Sequence, residues 1–375
     1  MKNLILLIST LLLLSSCKSH DSNGGCSHFD ATHLHPLYAQ GFDIYQHESY
    51  TEVQVFNPWK QNQVAVTYYL TTSDTVATPQ DGIRIRIPLR HIASTSVTQY
   101  EFLSLIGEYR SVKGICSPEL TYNRTIDSLY NSGDIINLGD AFSLNKERLM
   151  MLAPDAVLTT FFNESMVAEA ASSNTGLTYI YDNEWMESTM LARAEWIKFI
   201  AAFYGKLSMA DSIFNAIDSS YKASLSKLES ITRRKSVMLG NNFRGTWYMP
   251  GGKSYMGNLL RDAYADYAYA NDTTTGSLPL NFEQVLTDFD ECDVWLNAPV
   301  TSIDALVRMD ERHALFRPVK TGNVYAFMRR MNSTGANDFW ESGIVHPDLI
   351  LNDLIWALYP DILPDYQPTY IIKCE

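Results

Sequence analysis

Apolar residues recur along this chain in two rhythms. Over residues 185–204 (WMESTMLARAEWIKFIAAFY) no Gly or Pro intervenes. There Met190, Ala194, Ile197, Ile200 and Ala201 keep the three- and four-residue spacing of one helix face. The spacing predicts a helix on the order of 30 Å long, the width of a small domain. On either side of it the chain resembles itself. Residues 145–158 read NKERLMMLAPDAVL and residues 281–296 read NFEQVLTDFDECDVWL. Each has a Glu near a helix start, then an apolar helical run, then an acidic residue opening an apolar strand. This repeat predicts two similar α/β lobes joined by one rigid helix.

Shorter runs fill in the rest. Residues 51–56 and 64–70 are apolar or alternating and are separated by NPWKQN, which predicts an antiparallel hairpin. Residues 83–87 continue the strand signal. The first α/β unit then opens with a strand at 90–93, a loop of capping residues at 94–98 and a helix at 99–107 ending on Gly107. Strands are expected at 111–115, 156–160 and 177–181, with a helix at 147–152. Residues 208–230, acidic early and basic late, predict a second helix packing on the next lobe. That lobe reads as a strand at 235–240, a glycine-rich stretch at 241–252 and a helix at 255–264. Strands at 294–297 and 324–327 and a closing helix at 349–358 follow, stopped by Pro360. Strands alternating with helices imply an α/β fold of two Rossmann-like lobes with mainly parallel sheets. The expected division is an N-terminal β decoration at 31–83, a first lobe at 84–184, the interlobe helix at 185–205 and a second lobe at 206–375.

Composition narrows the partners. The 375 residues are 46% hydrophobic and 19% charged, an ordinary globular balance with room for two cores. A formal net charge of −13 argues against nucleic acid or an anionic membrane as main partner. The 22 Tyr, 16 Phe and 7 Trp exceed what a core alone asks for and suit a cleft that stacks on a large flat ligand. Lys2, the apolar run at 4–14 and Leu14-Ser15-Ser16-Cys17 resemble an export signal ending in a bacterial lipobox. The run is too short to span a bilayer as a permanent helix. Lipidation at Cys17 is therefore expected, with residues 18–30 as a tether to the cell envelope and the folded part in the periplasm or at the cell surface. Cys26, Cys116, Cys292 and Cys374 remain, and their spacings match no zinc motif. An exported chain permits disulfides, and the spacing does not choose a pairing.

Other chemistry is weak. Residues 249–254 (MPGGKS) end like a phosphate-binding loop, yet that motif needs Gly at the position of Trp247. His28, His33 and His35 cluster beside the tether and read as a solvated segment, with His91 and His346 scattered elsewhere. No Gly-x-Ser-x-Gly or Ser-x-x-Lys in a convincing setting supplies an activated nucleophile, so an enzyme is the lesser hypothesis.

The order of these segments resembles the helix-hinged (class III) periplasmic substrate-binding proteins of ABC importers for vitamin B12, ferric siderophores and haem. The resemblance rests on Ile92-Ala93-Ser94-Thr95-Ser96 with Leu103 and Gly107, and on Glu147-Arg148-Leu149 leading to Ala153-Pro154-Asp155. It rests equally on the long helix and on Phe339-Trp340-Glu341-Ser342-Gly343 with His346-Pro347-Asp348-Leu349. It implies a binding protein without catalysis or cofactor, whose ligand is a metal chelate and whose partner is a permease dimer with ATPase subunits. A free metal ion as ligand and a cell-envelope hydrolase stay as alternatives. The resemblance makes Glu147 and Glu283 the acids that each lobe presents to the permease. Open α/β sheets bind ligands at the carboxyl ends of strands. Ser94, Thr95, Ser96 and Phe142 are thereby nominated from the first lobe, and Arg244, Trp247, Tyr248, Phe339 and Trp340 from the second. The vitamin B12 branch carries Trp where this chain has Ala141-Phe142 and near Ser277, so the chelate stays open.

Overall fold

The computed structural model describes residues 31–172 and 176–375. The leader with Cys17, the tether at 18–30, Cys26 and His28 lie outside them. The chain opens with a five-stranded sheet in sequence order: β1 (Thr32–His33), β2 (Phe42–Gln46), β3 (Thr51–Phe56), β4 (Val64–Thr71) and β5 (Ile83–Arg86). The expected hairpin is β3–β4 at its centre, and only β5 joins in parallel. Strand alternation sends Val53, Val55, Tyr68 and Leu70 to one face, where they are buried. That face shares one core with Ile92, Leu103, Trp196 and Phe199. The sheet is thus part of the first lobe's packing and more than an appendage.

The first lobe contains β6 (Ile92–Ser94), α1 (Val97–Leu105), β7 (Val112–Ile115), α2 (Arg124–Asn131) and β8 (Ile136–Asn137). After it come the small hairpin of β9 (Gly139–Asp140) and β10 (Ser143–Leu144), then α3 (Lys146–Leu152), β11 (Ala156–Thr159), α4 (Glu164–Ser172) and β12 (Tyr179–Tyr181). Its sheet runs β12-β11-β6-β7-β8, parallel throughout. All four residues of β11 are buried, as a strand covered on both faces requires.

The crossing to the second lobe departs from expectation. Residues 185–204 do not form one helix. A 3-10 turn at Glu184–Met186 is followed by α5 (Met190–Ala202), capped by the Thr189 side chain, and Gly205 precedes α6 (Leu207–Ser226). Met190 and Leu191 pack in the second core while Ala194 through Tyr204 pack in the first. On α6 the order reverses: Ala210 and Phe214 belong to the first core, Ile217 and Tyr221 to the second. Helix α5 therefore doubles back, and α6, 20 residues and roughly 30 Å long, makes the crossing. The sequence hides this because α5 is buried all round: 12 of its 13 residues are buried, Arg193 and Glu195 among them, so no solvent-facing polar stripe marks where it ends.

The second lobe holds β13 (Val237–Leu239), β14 (Asn242–Phe243), β15 (Thr246–Pro250), α7 (Tyr255–Asp262), β16 (Ser277–Leu280), α8 (Phe282–Phe289) and β17 (Val294–Leu296). Then follow α9 (Ile303–Met309), α10 (Arg317–Thr321), β18 (Tyr325–Ala326), α11 (Pro347–Leu358) and β19 (Ile372–Lys373). β13 pairs parallel to β17, and parallel bridges at Ser236–Asp266 and Trp295–Val324 extend that layer. A meander of β14, β15 and β16 lies beside it.

The internal repeat is physical. Asn145 caps α3 by accepting from Arg148 N at 3.0 Å, and Asn281 caps α8 by accepting from Gln284 N at 2.8 Å. Asp155 accepts from Arg90 N and His91 N at 2.8 and 2.9 Å, pinning the start of β6. Asp293 does the same for β13 through Ser236 N at 3.1 Å. Cys116, Cys292 and Cys374 are buried free thiols, and burial pushes Cys116 and Cys374 up to about 11 and Cys292 up to about 12.

Candidate functional site

Between the connector and the second lobe lies a cavity of about 510 Å³, within the roughly 300–1,000 Å³ range of small-molecule sites. Trp185, Met186 and Ser188 line it from the connector, and Tyr248, Tyr255, Met256, Asn297 and Trp340 from the second lobe. Trp185, Tyr248 and Trp340 are 41%, 52% and 39% exposed, leaving ring faces open to the cavity. Trp185 is oriented before any ligand arrives. Its Nε1 donates to Thr160 Oγ1 at 2.6 Å, and Thr160 donates in turn to Asn183 Oδ1 at 3.0 Å. Tyr255 lies 4.5 Å beneath the Arg193 guanidinium, itself buried and paired with Glu184 at 2.6 Å. Nearby Asp182 is fully buried; desolvation, then the Glu184 charge, holds its carboxyl well above the usual range. The one carboxyl lining the cavity, Glu187, is committed to Gln40 N, Gly41 N and Trp196 Nε1.

Of the nominated residues, Tyr248 and Trp340 line this cavity. The other seven lie outside its lining. Trp247 is fully buried and donates Nε1 to Leu239 O at 2.6 Å, because on β15 it faces inward while Tyr248, one residue on, faces outward. Phe339 is buried against Phe327, their rings stacked at 4.4 Å. Ser94, the last residue of β6, and Thr95 just after it are buried, and Gln99 Oε1 accepts from Ser94 Oγ at 2.7 Å and Thr95 N at 3.2 Å. Ser96, beside them, caps α1 in a reciprocal capping box with Gln99. Phe142 and Arg244 are exposed on the tips of the β9–β10 and β14–β15 turns, beside Phe162 and Phe243 respectively, and outside the cavity lining. Trp185 and Asn297 were missed. The same rule that nominated the others applies to both, since one follows β12 and the other directly follows β17.

A second contact closes the cleft. Glu341, 1% exposed, accepts from Tyr122 N at 2.6 Å and Asn123 N at 2.8 Å across the lobes. Beyond it Ile344 and Val345 pack in the first core. Burial, with Glu101 and Asp338 nearby, pushes the Glu341 carboxyl up to about 8 despite the two N–H donors. A group raised on folding contributes stability below its unfolded value and loses it as pH rises through the folded one. The unfolding free energy should therefore fall from about pH 5 to pH 8 by up to about 4 kcal/mol, and Glu341→Gln should flatten that fall. Superimposable pH profiles for the two proteins would mean that Glu341 stays ionised throughout. Beside this contact, a groove of about 820 Å³ lies between α2 and residues 331–334. Its lining mixes Arg124, Asp127, Asn131 and Asn332 with Tyr122, Tyr130 and Met331.

The exposed acids Glu147 and Glu283 sit in the first turns of α3 and α8, two residues after their capping Asn. Glu283 pairs with Arg312 at 3.5 Å, a weak surface pair.

Comparison with known proteins agrees with this geometry. Residues 92–328 match the family model for periplasmic binding protein. An uncharacterized lipoprotein of Methanocaldococcus jannaschii is 24% identical over 297 residues, covering 77% of this chain and 70% of the relative. Helicobacter pylori CeuE with Ni(II) bound superposes with a TM-score of 0.57 at 16% identity, covering 76% of this chain and 88% of that one. S. aureus IsdE complexed with heme superposes with a TM-score of 0.52 at 17% identity, covering 72% and 98%. A family match over most of both lobes, together with a helical crossing between them, makes this chain a periplasmic binding protein of the helix-hinged class.

Proposed function

We propose that this protein captures a bulky metal chelate, a corrinoid, ferric siderophore or haem, between its lobes and delivers it to an ABC permease dimer with its ATPase subunits. The observation that carries this reading is the group of half-exposed aromatics, Trp185, Tyr248 and Trp340, around one cavity where the connector meets the second lobe. Aromatic faces bind flat ligands by stacking and apolar burial with few directional bonds. The Ni(II)-bound and heme-complexed neighbours support a chelate. The lipoprotein relative supports a cell-envelope location with an anchor at Cys17. No helix among the described residues is long and apolar enough to cross a membrane.

Calorimetric titration with cobalamin, haem and a panel of ferric siderophores tests the assignment. One of them should bind in the submicromolar range, and binding should survive prior treatment of the protein with a chelator, which separates a chelate from a free ion. Tyr248→Ala and Trp340→Ala should each weaken that binding about ten- to thirtyfold with little change in melting temperature, since both rings are partly exposed. Submicromolar binding of none of these ligands would overturn the proposal.

A further inference from the structure

Sequence spacing set the N-terminal histidines aside as a solvated run, but the fold gathers two of them. His33 lies opposite Tyr45 in the β1–β2 pairing, and Leu34 N donates to Ile44 O at 2.8 Å, continuing the ribbon past β1. With a side-chain period of two, His33 and His35 share a face with Asp43 and Tyr45. His33 Nε2 lies 3.0 Å and His35 Nδ1 2.8 Å from the same oxygen, Asp43 Oδ1. One candidate ligand atom from each residue falls within a 4.8 Å cluster.

We propose that His33, His35 and Asp43 form a binding site for a borderline divalent cation such as Zn²⁺, with water in the remaining coordination positions. Two imidazoles and a carboxylate are the donor set for zinc and its late transition-metal neighbours rather than for Ca²⁺ or Mg²⁺, which take oxygen ligands. With metal–ligand distances near 2.0–2.2 Å in a tetrahedron, donor atoms stand roughly 3.4 Å apart, so the two His–Asp spacings need only a small expansion. The parts are also supported. The Asp43 side chain is 10% exposed and held in the sheet, while the His33 and His35 rings are 42% and 69% exposed and open to an entering ion. The His33 ring is stacked on Tyr45 at 4.4 Å with an 11° interplanar angle, which fixes its plane. None of the residues lining the cavity around Trp185, Tyr248 and Trp340 comes from this sheet, so the ion here is distinct from cargo. Because β1 is only two residues long, the metal would staple it to β2.

The test is titration of Zn²⁺ into the full chain, purified without a histidine tag and stripped with chelator beforehand. A single equivalent should bind in the micromolar range, and Co²⁺ in its place should give visible d–d absorption. His33→Ala/His35→Ala should weaken binding by at least about a hundredfold and abolish the cobalt band, and Asp43→Asn should weaken it as well. Both histidines are surface residues, so an unchanged apo melting temperature verifies that the double variant folds. Absence of zinc binding by the wild-type chain, or equal binding by the folded double variant, would overturn the site.

Discussion

On the proposed delivery route, charge reversal at both Glu147 and Glu283 abolishes uptake by the reconstituted importer while leaving chelate affinity unchanged. Each acid stands exposed in the first turn of the matched helices α3 and α8, one per lobe, and neither lines the cavity. Their equivalence, down to the capping Asn two residues before each, suits a two-fold permease that meets both lobes alike. A partner Arg left buried without its carboxylate costs roughly 2–5 kcal/mol, so either single Ala variant should already slow transport. The readout is ligand-stimulated ATP hydrolysis or uptake, beside calorimetry on each variant. Normal uptake by the double reversal would leave both acids as helix-start residues favoured by the dipole. Lost chelate affinity would instead place them at the ligand.

Glu195→Ala should lower thermal stability more than any surface change. Its carboxylate is fully buried on α5 and accepts from Leu37 N, Tyr38 N and Ala39 N at 2.8, 2.7 and 3.0 Å, with Lys198 Nζ at 2.9 Å. Truncation leaves these three N–H groups without their acceptor and takes from Lys198 one of its carboxylates, Asp211 at 3.1 Å remaining. The expected cost is about 3–5 kcal/mol, or a melting temperature lower by on the order of 10 °C. Glu195→Gln keeps one acceptor oxygen and should recover part of the loss. An unchanged melting curve for the Ala variant would mean that the segment at 37–39 contributes nothing to stability.

Much of this was legible because it repeats. The α3–β11 and α8–β17 units share an Asn cap, a first-turn Glu and an Asp that pins the neighbouring strand, and each signal is local. The site was half legible. Tyr248 and Trp247 are adjacent aromatics after a strand, and only the alternation within β15 separates a cavity wall from the core. A loop reading of residues 241–252 concealed that alternation. The helix hairpin was hidden for a different reason: burial on every side erases the polar stripe that ordinarily dates a helix's beginning and end. The histidine site was invisible to spacing because its third member, Asp43, arrives from the neighbouring strand.

The clamp on α5 also sets an order of events. Leu37 and Gly41 find their carboxylates at separations of 158 and 146 residues, so the earliest part of the sheet depends on the middle of the chain. A chain delivered from its N-terminus can close the β3–β4 hairpin at once, since that pairing is local. The inner face of the sheet must then wait, solvent-exposed, until Glu187 and Glu195 emerge. Because Phe214 also belongs to this first core, its maturation extends into α6, and the second lobe follows as a later unit. During that interval the unfinished half presents an apolar strand face, the interval in which a holding chaperone would matter most.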